Sequence, residues 1–394
     1  MSRSAIVQAI ASYGPVSRAS VAKLTGLSKQ TVSEIVGNLE SDGWVRTVGE
    51  TEGHVGRRAV VYEISPGAAT VASVDLGASK VRVAFCDLMG RVLAERVEPT
   101  DRSGGMNVIE QVGRLVQATE RDAREPCGDL QIAVVGVPGV YDPKTGAVLM
   151  APNIVGIDQF DLAAAVHKRL GIEVFVENDV NLAALGEHWL GNRREHDNFV
   201  YISVGTGIGA GVVVGGKLLR GTIGAAGEIG FLPFGADPFE AESLKVGALE
   251  RVTATSAIVG SYLELSGRES DVPGVFDAAS AGDVAAQETL DRVARQIARA
   301  AAAIAAIVDP SLIVVGGSIG TRTELLERIV RFASQCYPGK ITIERSKLGT
   351  HAALAGGVSI ALSHLHVSIF AEGQKGAEIL IPPPAIEEFR AGAS

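Results

Sequence analysis

One local design occurs in both halves of the chain and limits the folds open to it. At Ala72 to Phe85 apolar residues alternate on both sides of a Gly-Ala-Ser turn, and at Phe199 to Leu219 the run FVYISV passes into GTGIGAG and then VVVGGKLL. Period-two alternation around a small-residue tip predicts a β-hairpin, and a third strand, Val92 to Val97, follows the first unit after Gly90. Two such units predict a duplicated α/β architecture. Each tip reads either as an ordinary tight turn or as a phosphate cradle. In a cradle, glycine lets backbone N–H groups approach the oxygens while Ser79 or Thr206 adds a hydroxyl donor.

Two commoner readings of the second unit fail on context. Gly205, Gly207 and Ala210 match a dinucleotide G-x-G-x-x-A fingerprint, but the β-rich GVVVGGKLL follows where a helix is required. Gly211 to Lys217 nearly spells a P-loop, but Leu218 stands in place of the magnesium-binding Ser/Thr and again no helix follows.

Between the hairpins lies VFVENDVNLAALGEHWLG, a short strand ending at Glu177-Asn178-Asp179 and then a helix beginning near Val180. Asn178 or Asp179 there either caps the helix and favours its positive end, or places a carboxylate at a strand end as a general base for a substrate hydroxyl. Downstream, Val284 to Val308 is an Ala-rich helix ended by Asp309-Pro310, and Leu312 to Val315 is a strand leading into Gly316-Gly317. His351, His364 and His366 lack a further ligand at suitable spacing and read as surface or core histidines. The tail from about 370 to 394 reads as lying along the surface or disordered.

The first 65 residues follow different rules. Ile6, Val7, Ile10 and Ala11 recur at helical spacing, Ser17 opens a second amphipathic stretch with Val21, Ala22 and Leu24, and Gly26 ends it. After the turn Gly26-Leu27-Ser28, the stripe Val32, Ile35, Val36 and Leu39 predicts a third helix with Ser28 as N-cap. Trp44-Val45-Arg46 and Ala59 to Ile64 alternate as two strands around GETEGHVGRR, which adds a wing to a helix-turn-helix. In such a unit the third helix enters the major groove and the wing reaches an adjacent backbone or minor groove. Lys29, Gln30, Thr31, Ser33 and Glu34 face away from the apolar stripe. Gln30 suits an adenine edge, Ser28 and Lys29 suit phosphates, and Arg57 and Arg58 suit a narrow minor groove. A trihelical protein-interaction domain is the alternative.

Charge sharpens this division. The 394 residues carry a net charge of −9, yet residues 1–65 hold seven Lys/Arg against six Asp/Glu, so the acidity lies downstream. Nucleic-acid binding is therefore local to the N-terminal unit, and its mild basicity calls for two copies on a palindromic site. Three widely spaced cysteines, Cys86, Cys127 and Cys336, indicate neither a disulfide framework nor a zinc site. No signal peptide and no run of roughly 18 uninterrupted apolar residues is present, so a cytoplasmic, non-membrane protein is expected.

The order of these motifs resembles the ROK family of repressors, open reading frames and sugar kinases, within the actin/hexokinase-like superfamily, over nearly the whole chain. DLGASK at Asp75 to Lys80 looks like the first phosphate motif, GVPG at Gly136 to Gly139 and APN at Ala151 to Asn153 like sugar-side loops, and ENDVN at Glu177 to Asn181 like the catalytic segment. GTGIGAG is similar to the second phosphate motif, AGEIG at Ala226 to Gly230 and GALE at Gly247 to Glu250 to the glutamate-bearing segments, and VVGGSIG at Val314 to Gly320 to the adenosine-side turn.

The resemblance implies a duplicated, ribonuclease H-like two-lobe domain: an N-lobe over 70–196 completed by a helix at about 352–366, and a C-lobe over 197–351. It implies sugar contacts from Asn153, Asn178, Asp179, Glu228 and Glu250. In a kinase it implies Asp179 as the base, phosphate contacts from Gly77, Ser79, Lys80, Gly205, Thr206 and Gly207, and Gly316 and Gly317 beside adenosine, with ATP and magnesium as cofactors. The chain also departs from the family. Phe231 replaces the usual zinc- and sugar-binding histidine, FGADPFEAESLKVGALE holds no cysteine, and Ala78-Ser79 stand where Gly-Thr is usual. No structural zinc and no required cofactor are expected. Phe231 either fills the vacated space or stacks on a sugar's apolar face.

The expectation is a sugar-responsive transcription factor, a repressor acting as homodimer or homotetramer, with a sugar or sugar phosphate as effector. An ATP-dependent sugar kinase that also binds DNA, and a ligand-independent DNA-binding regulator, are the alternatives.

Overall fold

The computed structural model describes residues 2–50, 59–123, 127–151, 154–191, 195–370 and 382–391. Three helices open the chain, α1 (Ser2–Tyr13), α2 (Arg18–Thr25) and α3 (Lys29–Ser41), with the two-residue strand β1 (Val16–Ser17) between the first two. Ser17 caps α2 by accepting from the Ser20 amide at 3.2 Å, and Gly26 ends it in the left-handed region at φ 71°. Ser28 caps α3 through the Thr31 amide at 3.1 Å. Strands β2 (Val45–Glu50) and β3 (Val60–Ile64) form the wing, and β1 joins them as an unpredicted third strand in the order β1-β3-β2. Val32, Val36 and Leu39 are fully buried, each contributing roughly 1.5–3 kcal/mol of apolar transfer. Leu24, expected on the apolar face, is 49% exposed, because α2 ends within a turn and only Val21 and Ala22 reach the core.

The N-lobe sheet is built from β4 (Thr70–Leu76), β5 (Lys80–Asp87), β6 (Val92–Pro99), β7 (Leu130–Val137) and β10 (Glu173–Asn178). A small hairpin, β8 (Val140–Tyr141) with β9 (Val148–Leu149), precedes β10. Helices α4 (Gly105–Asp122) and α5 (Leu162–Leu170) cover the outer face, where Val108, Val112, Leu115 and Val166 are buried. After β10, α6 (Asp179–Trp189) crosses to the C-lobe strands β11 (Phe199–Val204), β12 (Ile208–Val214) and β13 (Lys217–Leu218). There follow α7 (Ala241–Val246), α8 (Glu250–Thr253), α9 (Thr255–Ser266), α10 (Val272–Ser280), α11 (Val284–Val308), β14 (Leu312–Gly316), α12 (Gly317–Gly320), α13 (Thr323–Cys336), β15 (Ile343–Arg345), α14 (Ala352–Phe370) and α15 (Ile386–Ala391).

The two sheets are copies of one topology. The N-lobe order is β10-β7-β4-β5-β6 and the C-lobe order β13-β12-β11-β14-β15. In each, a hairpin (β4/β5, β11/β12) extends through its first strand into a parallel pair (β4/β7, β11/β14). This is the duplicated α/β architecture that the paired hairpins predicted.

Helices α6 and α14 fill the layer between the sheets, in one core with Val71 and Val134 on one side and Phe199, Tyr201 and Val314 on the other. The segment Gly349–Phe370 is long and apolar enough to cross a membrane by length and composition. Here its Leu354, Ala355, Val358, Ala361 and Leu365 are buried in that layer. The described part of the tail differs from the sequence expectation. Residues 382–391 end in α15, and Phe389 is only 1% exposed, because it has an apolar seat in the core that holds α14.

Candidate functional site

The lobes face each other across a cavity of about 390 Å³, within the roughly 300–1,000 Å³ of small-molecule sites. Strand ends and helix starts supply its chemistry. Asp75, next to last in β4, stands opposite its cross-strand partner Arg82 on β5, and the tip Gly77 to Lys80 lies beyond them. The C-lobe tip Gly205 to Gly207 faces it from the other lobe, with Gly317 and Ser318 beside it.

Asp179 occupies the first residue of α6 and lines the cavity; Asn178 is the N-cap. Burial, the nearby Asp75 carboxylate and Glu228 lift the Asp179 carboxyl to about 7, against a weaker lowering by the Val180 amide. Burial lifts Asp75 to about 6, with the Arg82 guanidinium opposing it. Asp75 was not among the sequence-derived site residues; its pairing with Arg82, set by the hairpin register, was the available signal. Asn178 has both ends of its amide engaged: Oδ1 accepts from the Asn181 amide at 2.9 Å and Nδ2 donates to the Gly139 carbonyl at 2.9 Å. It therefore holds the GVPG loop against the start of α6.

Glu228 and Glu250 line the far side of the cavity with Phe231 and Lys245. Burial and the Glu250 charge raise the Glu228 carboxyl, while burial raises Glu250 and the Ile208 amide opposes it at 3.0 Å. That bond ties one glutamate to the second glycine tip. A Cβ at Gly207 would lie 2.5 Å from Glu250 Oε2, the far end of a flexible side chain, so the tip and this carboxylate pack closely with Gly207 outside the left-handed region. Gly316 does not line the cavity; it ends β14 and packs against Tyr201, whereas Gly317 does line it. Asn153 lies outside the described residues.

The segment 231–250 is held by protein groups. Arg251 reaches Glu240 at 2.6 Å and the buried Ser243 hydroxyl at 2.7 Å, and the Arg299 guanidinium stacks 4.7 Å over the Phe234 ring. Among the described residues no group of three or more His, Cys, Asp or Glu is arranged to hold a metal ion. His351 approaches Glu95 at 3.4 Å, His364 stacks on Phe175 at 3.9 Å, and the buried His366 faces the Leu88 carbonyl at 3.0 Å.

On the N-terminal unit, Ser28, Lys29, Gln30 and Ser33 are exposed along one face of α3 and Thr31 is half-buried. Three hydroxyls are already engaged. Ser28 and Thr31 bond each other at 2.8 Å, and Ser33 accepts from Arg18 at 3.2 Å. Lys29 and Gln30 are thus the longer side chains this face presents from the first turn of α3. Arg57 and Arg58 lie outside the described residues.

Residues 71–364 match the ROK family, and residues 2–46 match a winged helix-turn-helix DNA-binding domain. The chain is 26% identical to the xylose repressor of Caldicellulosiruptor bescii, over 89% of this chain and 92% of that one. It is 31% identical to the glucokinase of Thermotoga maritima, over 73% of this chain and 95% of that one. In fold it superposes on the crystal structure of a ROK family transcriptional regulator, a homologue of the Escherichia coli MLC protein, with a TM-score of 0.73. That match has 23% identity and covers 91% of this chain and 95% of the other.

Proposed function

The chain belongs to the ROK family and carries a winged helix-turn-helix domain, and from that premise we propose that it is a DNA-binding transcriptional repressor whose effector is a sugar or sugar phosphate bound between the lobes. The observation that carries this reading is the union of two parts. A cavity lined by Asp75, Asp179, Glu228 and Glu250 adjoins a helix layer that shares one continuous apolar core with the DNA-binding unit. Carboxylates at several angles accept from adjacent hydroxyls in defined directions, which is how a carbohydrate is distinguished from its isomers. The Lys29 and Gln30 face supplies phosphate and base contacts, and two copies on a palindromic operator, as homodimer or homotetramer, supply the affinity that one mildly basic unit lacks. Such a protein works in the cytoplasm and requires no cofactor.

The experiment is binding to DNA from upstream of the protein's own gene at fixed near-physiological salt, with D-xylose, D-glucose, N-acetyl-D-glucosamine and their phosphates added in turn. A change in operator affinity with one sugar supports the reading; binding indifferent to every sugar favours a ligand-independent regulator.

A second reading rests on Asp179 itself. A carboxyl lifted to about 7 is suited to accept a proton from a sugar hydroxyl as its oxygen attacks the terminal phosphorus and the bond to the departing nucleoside diphosphate breaks. ATP with magnesium would supply the phosphoryl group. Asp75 and Asp179, whose charges repel each other, fit a hard cation, and Lys80, Ser79 and Thr206 fit phosphate oxygens. Phosphorylated sugar, lost in Asp179→Asn, would establish this activity.

A further inference from the structure

Helix α14 touches both functional parts of the molecule. At its first turn Ala352 and Ala353, with the preceding Gly349 and Thr350, line the cavity. Its 19 residues span roughly 28 Å at 1.5 Å per residue. At the far end the buried Phe370 ring stands edge-on to Trp44 of the N-terminal unit, with centroids 5.9 Å apart and planes at 81°. The Phe370 carbonyl, one of the last-turn acceptors that a helix leaves unpaired, accepts from the Ser4 hydroxyl of α1 at 3.3 Å.

The same helix is locked to α6, the helix that begins at Asp179. Glycines make the contact: a Cβ at Gly356 would overlap the Leu182 carbonyl, and one at Gly186 would overlap the Ala352 carbonyl. With backbone against backbone, no side-chain rotamer can absorb a relative displacement, so the two helices move together. The winged unit in turn lacks a core of its own boundary. Ile6, Val36 and Leu39 belong to the same buried cluster as Leu182, Val358, Leu365 and Phe370.

We infer that α14 is the rod that carries the state of the cavity to the DNA-binding unit, and that the Phe370 to Trp44 contact with the Ser4 hydrogen bond is its output joint. This deepens the sugar-responsive reading and rests on it. A ligand that draws the lobes together at Asp179 displaces α6, α6 displaces α14, and the joint sets the pose of α1 and α3. The ligand acts only as far as it prefers one pose.

The test uses the full chain and whichever of D-xylose, D-glucose, N-acetyl-D-glucosamine and their phosphates it binds, each counted below as the sugar. Operator affinity with and without the sugar, and sugar affinity by calorimetry, are measured for the parent, Phe370→Leu, Phe370→Ala and Ser4→Ala. The parent is expected to show a tenfold or larger change in operator affinity. The Phe370 variants should keep sugar affinity within twofold while that change collapses towards unity, with Ser4→Ala intermediate. Phe370 variants that retain the parental change overturn the rod and leave the sugar-responsive reading standing. A parent whose operator affinity no sugar alters overturns both. If the Phe370 variants do not fold, hydrogen exchange in the parent decides: sugar-dependent exchange at residues 365–370 and in α1 supports the rod, and changes confined to the cavity overturn it.

Discussion

Arg220 of the C-lobe donates from Nε to Glu177 Oε2 of the N-lobe at 2.6 Å, so the chain segment after β13 is tied to the strand that leads into Asp179. Glu177 spends its other oxygen on the Asn178 amide and the Asn181 side chain, both at 3.0 Å. One carboxylate therefore joins the lobes and fixes the start of α6.

Removing that tie should affect ligand binding more than stability. Arg220 is 54% exposed, which keeps the pair within about 1 kcal/mol of stability. Arg220→Ala is expected to leave the melting temperature nearly unchanged, to weaken sugar binding about threefold to tenfold, and to raise the radius of gyration of the sugar-bound form. Calorimetry and small-angle scattering check this, and equal scattering profiles with unchanged affinity would show that the pair does not hold the lobes.

Asp179 makes stability depend on pH. Its carboxyl at about 7 and that of Asp75 at about 6 both exceed the roughly 3.9 of an unfolded aspartate. Between about pH 4 and 7 the folded chain holds more protons than the unfolded one, so these groups lower stability as pH rises and their full penalty is present above 7. Asp179→Asn removes one of them. The variant should exceed the parent by on the order of 1–3 kcal/mol at pH 8, with the difference fading near pH 4, and should bind sugar at least about tenfold more weakly. Denaturant titrations at both pH values test the sign.

Two helical glycines should respond in opposite directions. Gly37 in α3 has open space where a Cβ would go, so Gly37→Ala is expected to stabilise the winged unit by about 0.5–1 kcal/mol. Gly356 faces the Leu182 carbonyl, and Gly356→Ala must push α6 and α14 apart, costing about 3 kcal/mol or more. Chemical denaturation of the full chain, with retained folding of Gly356→Ala counting against the backbone contact, measures both.

The recognition face separates stability from affinity. Ser28→Ala removes the α3 cap and should cost about 1 kcal/mol of stability along with operator affinity. Gln30 is exposed at the first turn, so Gln30→Ala should lower operator affinity about tenfold without shifting the melting temperature. Substitution of the base pair it reads should then cost the variant nothing.

Much of the scaffold is legible in short stretches of the chain. Ser17 as the start of the second helix, Ser28 as a cap, Gly26 as a stop, and the stripe Val32, Val36 and Leu39 are local statements, and each has a local physical cause. The paired hairpins foretold the duplicated sheet for the same reason, since alternation and tip residues act over a few neighbours. Leu24 misled because an amphipathic pattern marks a face without saying how far the partner surface extends. The tail misled because a polar, proline-rich approach concealed Phe389, whose seat is made by other elements.

From the chain itself come the two kinds of domain, the N-terminal helices, the paired hairpins, the long helix from Val284 and the chemistry carried at the strand ends and turns, because capping, periodicity and turn geometry are decided within one or two turns of chain. Tertiary structure alone decided what those residues do together. Asp75, Asp179, Glu228 and Glu250 meet around one cavity although they are distant along the chain, Glu177 finds Arg220 across the lobes, and Phe370 finds Trp44. Such meetings depend on how whole sheets and helices pack, and on the repulsion, desolvation and close backbone contact that arise only once they have packed; no local pattern carries that information.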